Sequence, residues 1–357
     1  PARHIENCLM RLAFYAPLKP PTDPVPSGDR AMARALLKAF SHMGAEVDLA
    51  ATLRSRDGVG DAALQTDLKA QADALLPEVI ARGRTSGWQA WVTYHSYYKA
   101  PDLIGPAAAK ALGIPYLLVE ATRARKRLGG PWDAFARAAE AACDAADVVF
   151  YLTQRDREAL TAYAPAGQHH VHLRPFLSRM GLPPIASGKH LLAVGMMRVA
   201  AKLPSYALIA QTMALLPTGV SLEIAGDGPA RAQVEALMAP FGARVRFLGA
   251  LDAATLAQAY GRAGALIWPG VDEAFGMTYL EAQSFGLPVI AQDRPGVRDV
   301  LFSRAYPAVA DGAAGLAALA TAAPPDTDAI RAHIAAHHLL PAAAETLRAG
   351  LAQAGVT

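Results

Sequence analysis

Apolar side chains cluster over residues 7–15, as in a first strand, and the proline-rich run PLKPPTDPVPSGDR follows, which can be neither helix nor central strand. Met32, Ala35, Leu36, Ala39, Phe40 and Met43 then recur at helical spacing, with Arg30, Arg34 and Lys38 on another face. This pattern predicts an amphipathic helix over 29–43, capped by Ser27 or Asp29. From there the two periods alternate, with strands at 46–52, 91–94, 116–119 and 148–152 and helices at 61–82, 103–112 and 131–145. Residues 173–190 carry prolines and little periodicity and read as the connection between domains, with the linker proper at 177–189. The rhythm resumes with strands at 190–197 and 220–225, a helix opened by Pro204 and Ser205, the VRFLG strand, and strands at 263–268 and 288–291. RPGVRD, 294–299, predicts the start of a further helix, and alanine-rich helices follow, the last over 339–354. The expectation is an α/β protein with doubly wound parallel sheets in a first domain, 1–176, and a second, 190–338.

Composition narrows the class. At 357 residues, 53% hydrophobic and 18% charged, the chain can bury two substantial cores. It contains no apolar run of about 18 residues and no cleavage pattern at its start, so a cytoplasmic protein is expected. The net charge of +3 comes entirely from the first half, with 21 basic against 18 acidic residues up to residue 176 and 13 of each beyond. So small an excess argues against nucleic acid and fits ordinary solubility, with weak peripheral contact between the N-terminal domain and an anionic membrane face as the further expectation. Cys8 in the first strand and Cys143 in a helix read as buried free thiols.

The chemistry concentrates in GVDEAFGMTYLEAQSFGLPVIAQ, residues 270–292. A strand leads into it, a helix opens at Gly276, and Gly286, Leu287 and Pro288 end that helix before another strand. In such a unit the binding crevice lies at the carboxyl ends of the strands, which places Glu273 in it. Arg198 and Lys202 follow the strand at 190–197, where two cations can neutralise a departing diphosphate. In the first half, TYHSYYKAPD sets His95, Tyr97, Tyr98, Lys99 and Asp102 beyond one strand, and VEATRARKR sets Glu120, Thr122 and Arg123 beyond the next. Both segments read as crevice lining, while the basic run 123–127 also reads as a solvated loop. The AGDGPAR turn lacks the third glycine of a dinucleotide fingerprint, having Arg231 there. His333 and His337 are spaced by four without an adjacent glutamate, so no metal site is expected.

E-A-F-G-x-x-x-L-E-A followed by G-L-P-V-I-A resembles the E-x7-E signature of family-4 retaining glycosyltransferases of the GT-B fold. That resemblance implies two Rossmann-like domains facing each other across a cleft, with the C-terminal helix crossing back onto the first domain. It implies transfer of a sugar from a nucleoside-diphosphate sugar to a carbohydrate, lipid-linked or small-molecule acceptor, with retained configuration and no metal or other cofactor. By position, Glu273 meets the donor sugar's hydroxyls, the amides of Phe275, Gly276, Met277 and Thr278 face sugar and diphosphate, and Glu281 holds the ribose. Arg198 and Lys202 match the family's diphosphate-binding pair, although four residues separate them here where five are usual. Gly28 stands in the glycine loop of the first domain, Gly226 in the tight GDGP turn, and Leu248 and Leu251 border the base. The acceptor then falls to Asp29, Arg30, Tyr97, Lys99, Glu120 and Arg123, with His95 as a catalytic or acceptor-binding group. A nucleotide-sugar epimerase, a nicotinamide-dependent oxidoreductase and a silent sugar-nucleotide binder are the alternatives.

Overall fold

The computed structural model describes residues 10–25, 27–200 and 202–357, so Cys8, the beginning of the first predicted strand and Pro26 lie outside the described residues. The first part of the chain alternates β1 (Arg11–Tyr15), α1 (Gly28–His42), β2 (Glu46–Leu49), α2 (Ala62–Ser86), β3 (Ala90–Tyr94), α3 (Gly105–Leu112), β4 (Tyr116–Val119), α4 (Asp133–Ala145), β5 (Val148–Tyr151), α5 (Gln154–Ala162) and β6 (His169–His172). The second part runs β7 (Leu191–Val194), α6 (Leu203–Leu215), β8 (Leu222–Ala225), α7 (Arg231–Met238), β9 (Val245–Gly249), α8 (Ala253–Gly261), β10 (Ala265–Ile267), α9 (Met277–Ser284), β11 (Val289–Ile290), α10 (Gly312–Thr321) and α11 (Thr327–His337). Helix α12 (Leu340–Gln353) follows. The chain divides into two compact units, one formed by residues up to Arg174 together with Leu340–Thr357, the other by Pro175–Leu339.

Each unit is built on one parallel sheet, in the order β2-β1-β3-β4-β5-β6 in the first and β11-β10-β7-β8-β9 in the second. Central strands such as β4 and β5 are buried at every position, which is why they read as continuous apolar runs and not as alternation. In both sheets the chain leaves its first strand toward one side and later returns to the other. The order therefore reverses between β1 and β3 and again between β7 and β10. Loops that leave these strand pairs at their carboxyl ends diverge and open a crevice.

Two elements differ from expectation. Helix α5 falls in a stretch where none is predicted, followed by β6, three of whose four residues are histidines and which is recognisable as a strand by its pairing with β5. RPGVRD makes a single 3-10 turn, Val297–Asp299, preceded by Gly296 at φ 82°, and no α-helix starts before Gly312. Residues 177–189 are hydrogen-bonded to the rest of the second unit. Leu177 is buried and donates its N–H to the His338 carbonyl, and the amides of Ala186, Ser187 and Gly188 bond to the carbonyls of Phe285, Gly261 and Ala263. Cys143 is a buried free thiol whose pKa burial pushes up to about 12.

Helix α12 returns the chain to the first unit, where it packs along α1 and β5. Gly350 is the contact point, since a Cβ there would lie 2.2 Å from the ring of Phe150.

The docked segment gives a stability test. A Cβ at Gly188 would fall 1.5 Å from the Arg262 carbonyl oxygen, a backbone atom that has nowhere to go. Gly188→Ala is expected to cost about 1–3 kcal/mol, read as a lower urea midpoint with unchanged slope. An unchanged midpoint would mean that 177–189 is not held against the second unit.

Candidate active site

In the second unit a cavity of about 440 Å³ opens at the carboxyl ends of β7 and β8, bordered by the loop that enters α9. That volume is in the range of small-ligand sites. Gly226, Leu251 and Lys202 line it, with Glu273, Gly276, Met277 and Thr278 on the side of α9. Gly226 has φ 149°, and a side chain there would meet the Gly195 carbonyl oxygen at 1.9 Å. The glycine thus lets the β8 loop close on the β7 loop, and its near approach is to protein backbone. Gly276 has φ 80° and stands as N-cap of α9, so Met277 and Thr278, which open the helix and whose amides precede its first backbone hydrogen bond, lie beside the cavity.

Glu273 is the hub of this site. Its Oε1 accepts from Trp268 Nε1 at 2.9 Å and pairs with Lys202 Nζ, which also lies 5.6 Å from the Trp268 ring. The carboxylate is thus fixed by a buried indole while one cation from the β7 loop leans on it. Asp272, just before it, holds φ 55°, a conformation rare outside glycine. Among the described residues the non-glycine positions with positive φ are His95 and Glu120, each directly after a strand, and Asp272 in the loop between β10 and α9. Strain of this kind collects where a side chain must be aimed.

The remaining residues inferred for the donor are spread out. Arg198 is exposed, 3.8 Å from Met196 Sδ, without a carboxylate partner among the described residues, and it does not line the cavity. Glu281 is bound by Tyr260, whose hydroxyl reaches Oε2 at 2.9 Å, and its pKa is raised by burial, with Tyr260 pulling the other way. Phe275 and Leu248 pack on the second unit's core, outside the cavity lining. Gly28 opens α1 in the first unit with free space around its Cβ position. Val194, Gly195, Met196, Ala225, Asp227 and Leu256 line the cavity without having been read from the sequence. Five of them lie at or just beyond the ends of β7 and β8, and Leu256 lies on α8, so position alone was their signal.

In the first unit, three candidate residues come together. His95 Nδ1 lies 2.9 Å from Asp29 Oδ1 at the amino end of α1 and 4.0 Å from Glu120 Oε1. Burial works against a charged His95, yet the Glu120 and Asp29 carboxylates outweigh it and raise the imidazole pKa. Glu120 is itself raised by burial, with His95 opposing, and its Oε2 is buried without a protein partner. Tyr97 stacks on His95 at 5.0 Å. Lys99 lies beyond, against Tyr98 and Trp132.

Arg30 and Arg123, read for the acceptor, and Asp102, read as crevice lining, each have partners within the fold. Arg123 is 98% hidden at its side chain and binds Glu140 at 2.7 Å and Asp144 at 2.6 Å, so it ties the β4 loop to α4. Arg30 donates to the carbonyls of Asp23 and Pro24, and Arg34 and Arg54 hold Pro21 and Leu18, so these arginines staple the proline-rich loop. Asp102 is buried, accepts from the amides of Ile104 and Gly105 and from the Tyr116 hydroxyl, and thereby caps α3. The basic run is not simply solvated either, since Arg125 lies 4.4 Å over Tyr163. No group of three or more His, Cys, Asp or Glu arranged to hold a metal occurs among the described residues, and none of their helices is long and apolar enough to cross a membrane.

Residues 188–336, most of the second unit, match the family model described as glycosyl transferases group 1. Over 97 residues, 27% of this chain, the sequence is 34% identical to a sulfoquinovosyl transferase of Arabidopsis thaliana, and over 82 residues, 23% of this chain, 37% identical to a GDP-mannose-dependent alpha-mannosyltransferase of Mycolicibacterium smegmatis. These matches span about a fifth of those relatives, 18% and 21% of their lengths. The architecture is shared far more widely. A sucrose-phosphate synthase from Thermosynechococcus elongatus aligns over 96% of this chain and 98% of its own at TM-score 0.65 and 17% identity. The lipopolysaccharide outer core galactosyltransferase WaaB aligns over 96% and 99% at 0.66 and 16%, and Anabaena HepE, solved with UDP and glucose, over 96% and 99% at 0.64 and 15%. At these identities the likeness is one of fold: two Rossmann-like α/β domains, as in solved glycosyltransferases.

The histidine cluster makes a pH prediction. The folded protein holds the His95 proton more tightly than an unfolded chain, so the stabilisation is complete below about pH 6.5 and fades as pH rises through the folded-state pKa. An NMR titration of the His95 ring is expected to give a pKa above 6.5, and Asp29→Asn to lower it. A wild-type value at or below 6.5 would remove the carboxylate clamp from the account.

Proposed function

We propose that this protein is a glycosyltransferase that moves a sugar from a nucleoside-diphosphate sugar to a carbohydrate, lipid-linked or small-molecule acceptor with retention of configuration. The observation that carries the reading is the Trp268–Glu273–Lys202 arrangement at the mouth of the 440 Å³ cavity, beside the amino end of α9 and inside the segment that matches group 1 glycosyl transferases. The nucleotide-sugar specificity in the names of the relatives, GDP-mannose in one, and the UDP bound to HepE point the same way.

Each residue has a task in this scheme. Glu273, immobilised by Trp268, accepts hydrogen bonds from sugar hydroxyls and sets the position of the anomeric carbon. The amides of the first turn of α9, with Lys202 and the exposed Arg198, supply positive charge to the diphosphate without a metal. The bond from the anomeric carbon to the diphosphate oxygen breaks, the acceptor oxygen bonds on the same face, and the leaving diphosphate takes the acceptor's proton. His95, whose pKa is raised by Glu120 and Asp29 against the opposing effect of burial, is assigned to the acceptor.

The ion pair sharpens the test. Calorimetric titration with free UDP, GDP and ADP is expected to find one nucleotide that binds, and Lys202→Ala to weaken it by about 1.5–3 kcal/mol. Glu273→Gln releases Lys202 from its partner, so nucleotide affinity should hold or rise while turnover falls about a hundredfold or more. Loss of nucleotide binding in Glu273→Gln as severe as in Lys202→Ala, or failure of every nucleotide to bind, would defeat this reading. Turnover that survives a chelator supports the metal-free scheme, and turnover abolished by it overturns that part.

A further inference from the structure

An aromatic ladder climbs away from His95 in the first unit. Its rings are His95, Tyr97, Tyr98 and Trp132, with successive centroids 5.0, 5.5 and 5.6 Å apart. At the far end two cations share one pair of rings: Lys99 Nζ lies 5.8 Å from Tyr98 and 5.3 Å from Trp132, and Arg127 Cζ lies 5.0 and 5.6 Å from the same two. Neither cation has a carboxylate partner among the described residues, and Arg127 Nε is buried with no hydrogen-bond acceptor. Arg56, exposed, is close enough to Tyr97 to offset part of the rise that burial imposes on its phenol.

Magnitudes make this arrangement unusual as a purely structural one. A cation over an aromatic face gains roughly 0.5–1 kcal/mol at an exposed site, less than the roughly 1.5–3 kcal/mol of one charge-assisted hydrogen bond. Arg123, four residues earlier, shows what the chain does with a structural arginine: it is given two carboxylates. Arg127 is given none, and although a buried Nε without an acceptor is common to both arginines, only at 127 does the guanidinium also lack a carboxylate. The frame beneath is nonetheless rigid. Asp57 is fully buried and accepts the amides of Val59, Gly60 and Asp61, while its carbonyl receives Trp132 Nε1 and its amide donates to the Lys99 carbonyl. Two cations without a carboxylate partner thus meet at the corner formed by Tyr98 and Trp132, whose rings are set edge to face at 89°. The opposite end of the ladder, with Asp29 and Glu120, repels an anion.

We propose that the Lys99–Arg127–Trp132 cluster binds an anionic group, phosphate or carboxylate, carried by a sugar of the acceptor, whose ring lies against Tyr97. This rests on the glycosyltransferase reading and adds the acceptor's class and its orientation: the charge sits at the Trp132 end and the reacting hydroxyl at the His95 end. Arg127 and Trp132 become specificity-determining residues, and Asp57 a positioning one.

The experiment titrates the full chain with glucose 6-phosphate, glucuronate, neutral glucose and inorganic phosphate, following binding by NMR, beside a separate titration with UDP, GDP and ADP. Both anionic sugars, or one of them, should bind at least tenfold tighter than glucose and tighter than inorganic phosphate. The stronger of the two identifies phosphate or carboxylate as the source of the charge. Arg127→Gln and Lys99→Gln should each bring that preference within threefold, Arg127→Lys should restore most of it, and Lys126→Gln, an exposed neighbour, should leave it intact. Equal binding of neutral and anionic sugars, inorganic phosphate binding as well as the sugars, or a preference that survives both glutamine variants overturns the proposal. Should a glutamine variant not fold, the comparison of charged and neutral sugars on the unaltered chain still decides. The nucleotide arm keeps the two readings apart: a chain that binds a nucleoside diphosphate but shows no anionic preference loses only this proposal.

Discussion

In a parallel sheet whose first strand lies inside the order, the loops on its two sides must part, and both sheets here are ordered that way. Almost everything chemical follows from that constraint. The loops beyond β1 and β3 bring Asp29 to His95, and those beyond β7 and β10 bring Lys202 to Glu273. Neither pair is close in sequence. Each is made by strand order, and each joins a residue near a helix's amino end or the loop before it to one beyond a neighbouring strand.

The two units treat charge differently. Around Glu273 the arrangement is economical: one carboxylate, one buried indole, one lysine, and helix amides that need no side chain. The first unit instead spends arginines on architecture. Arg30, Arg34 and Arg54 hold down carbonyls of a loop that its prolines deprive of its own amide donors, and Arg123 locks a loop to a helix. The same residue type is met by two carboxylates at position 123 and by two aromatic rings at position 127.

Much of this was legible in the sequence. Buried strands with continuous apolar runs and helices with clear caps, such as Ser27 before α1, declared themselves within a few residues. The 270–292 stretch placed Glu273, Gly276, Met277 and Thr278 around one cavity because glycine, proline and acid fall at fixed offsets in one continuous unit. What was not legible depends on partners remote in sequence. An arginine's side chain carries no mark of whether two carboxylates await it, as they do Arg123, and β6 is a strand only because β5 lies beside it. Trp268 looked like the end of an apolar run, and only its 2.9 Å bond to Glu273 shows that its indole nitrogen holds the carboxylate.

The place of α12 has a consequence for how the protein is made. Its buried face, with Leu347, Gly350 and Leu351, completes the core of the first unit, yet it is encoded after the whole of the second. On a ribosome adding about 5–20 residues per second, the first unit therefore waits roughly 10–30 s, with Phe150 lacking its cover, while the intervening segment is synthesised and begins to fold. The core of the first unit therefore closes only once residues encoded beyond the second have emerged.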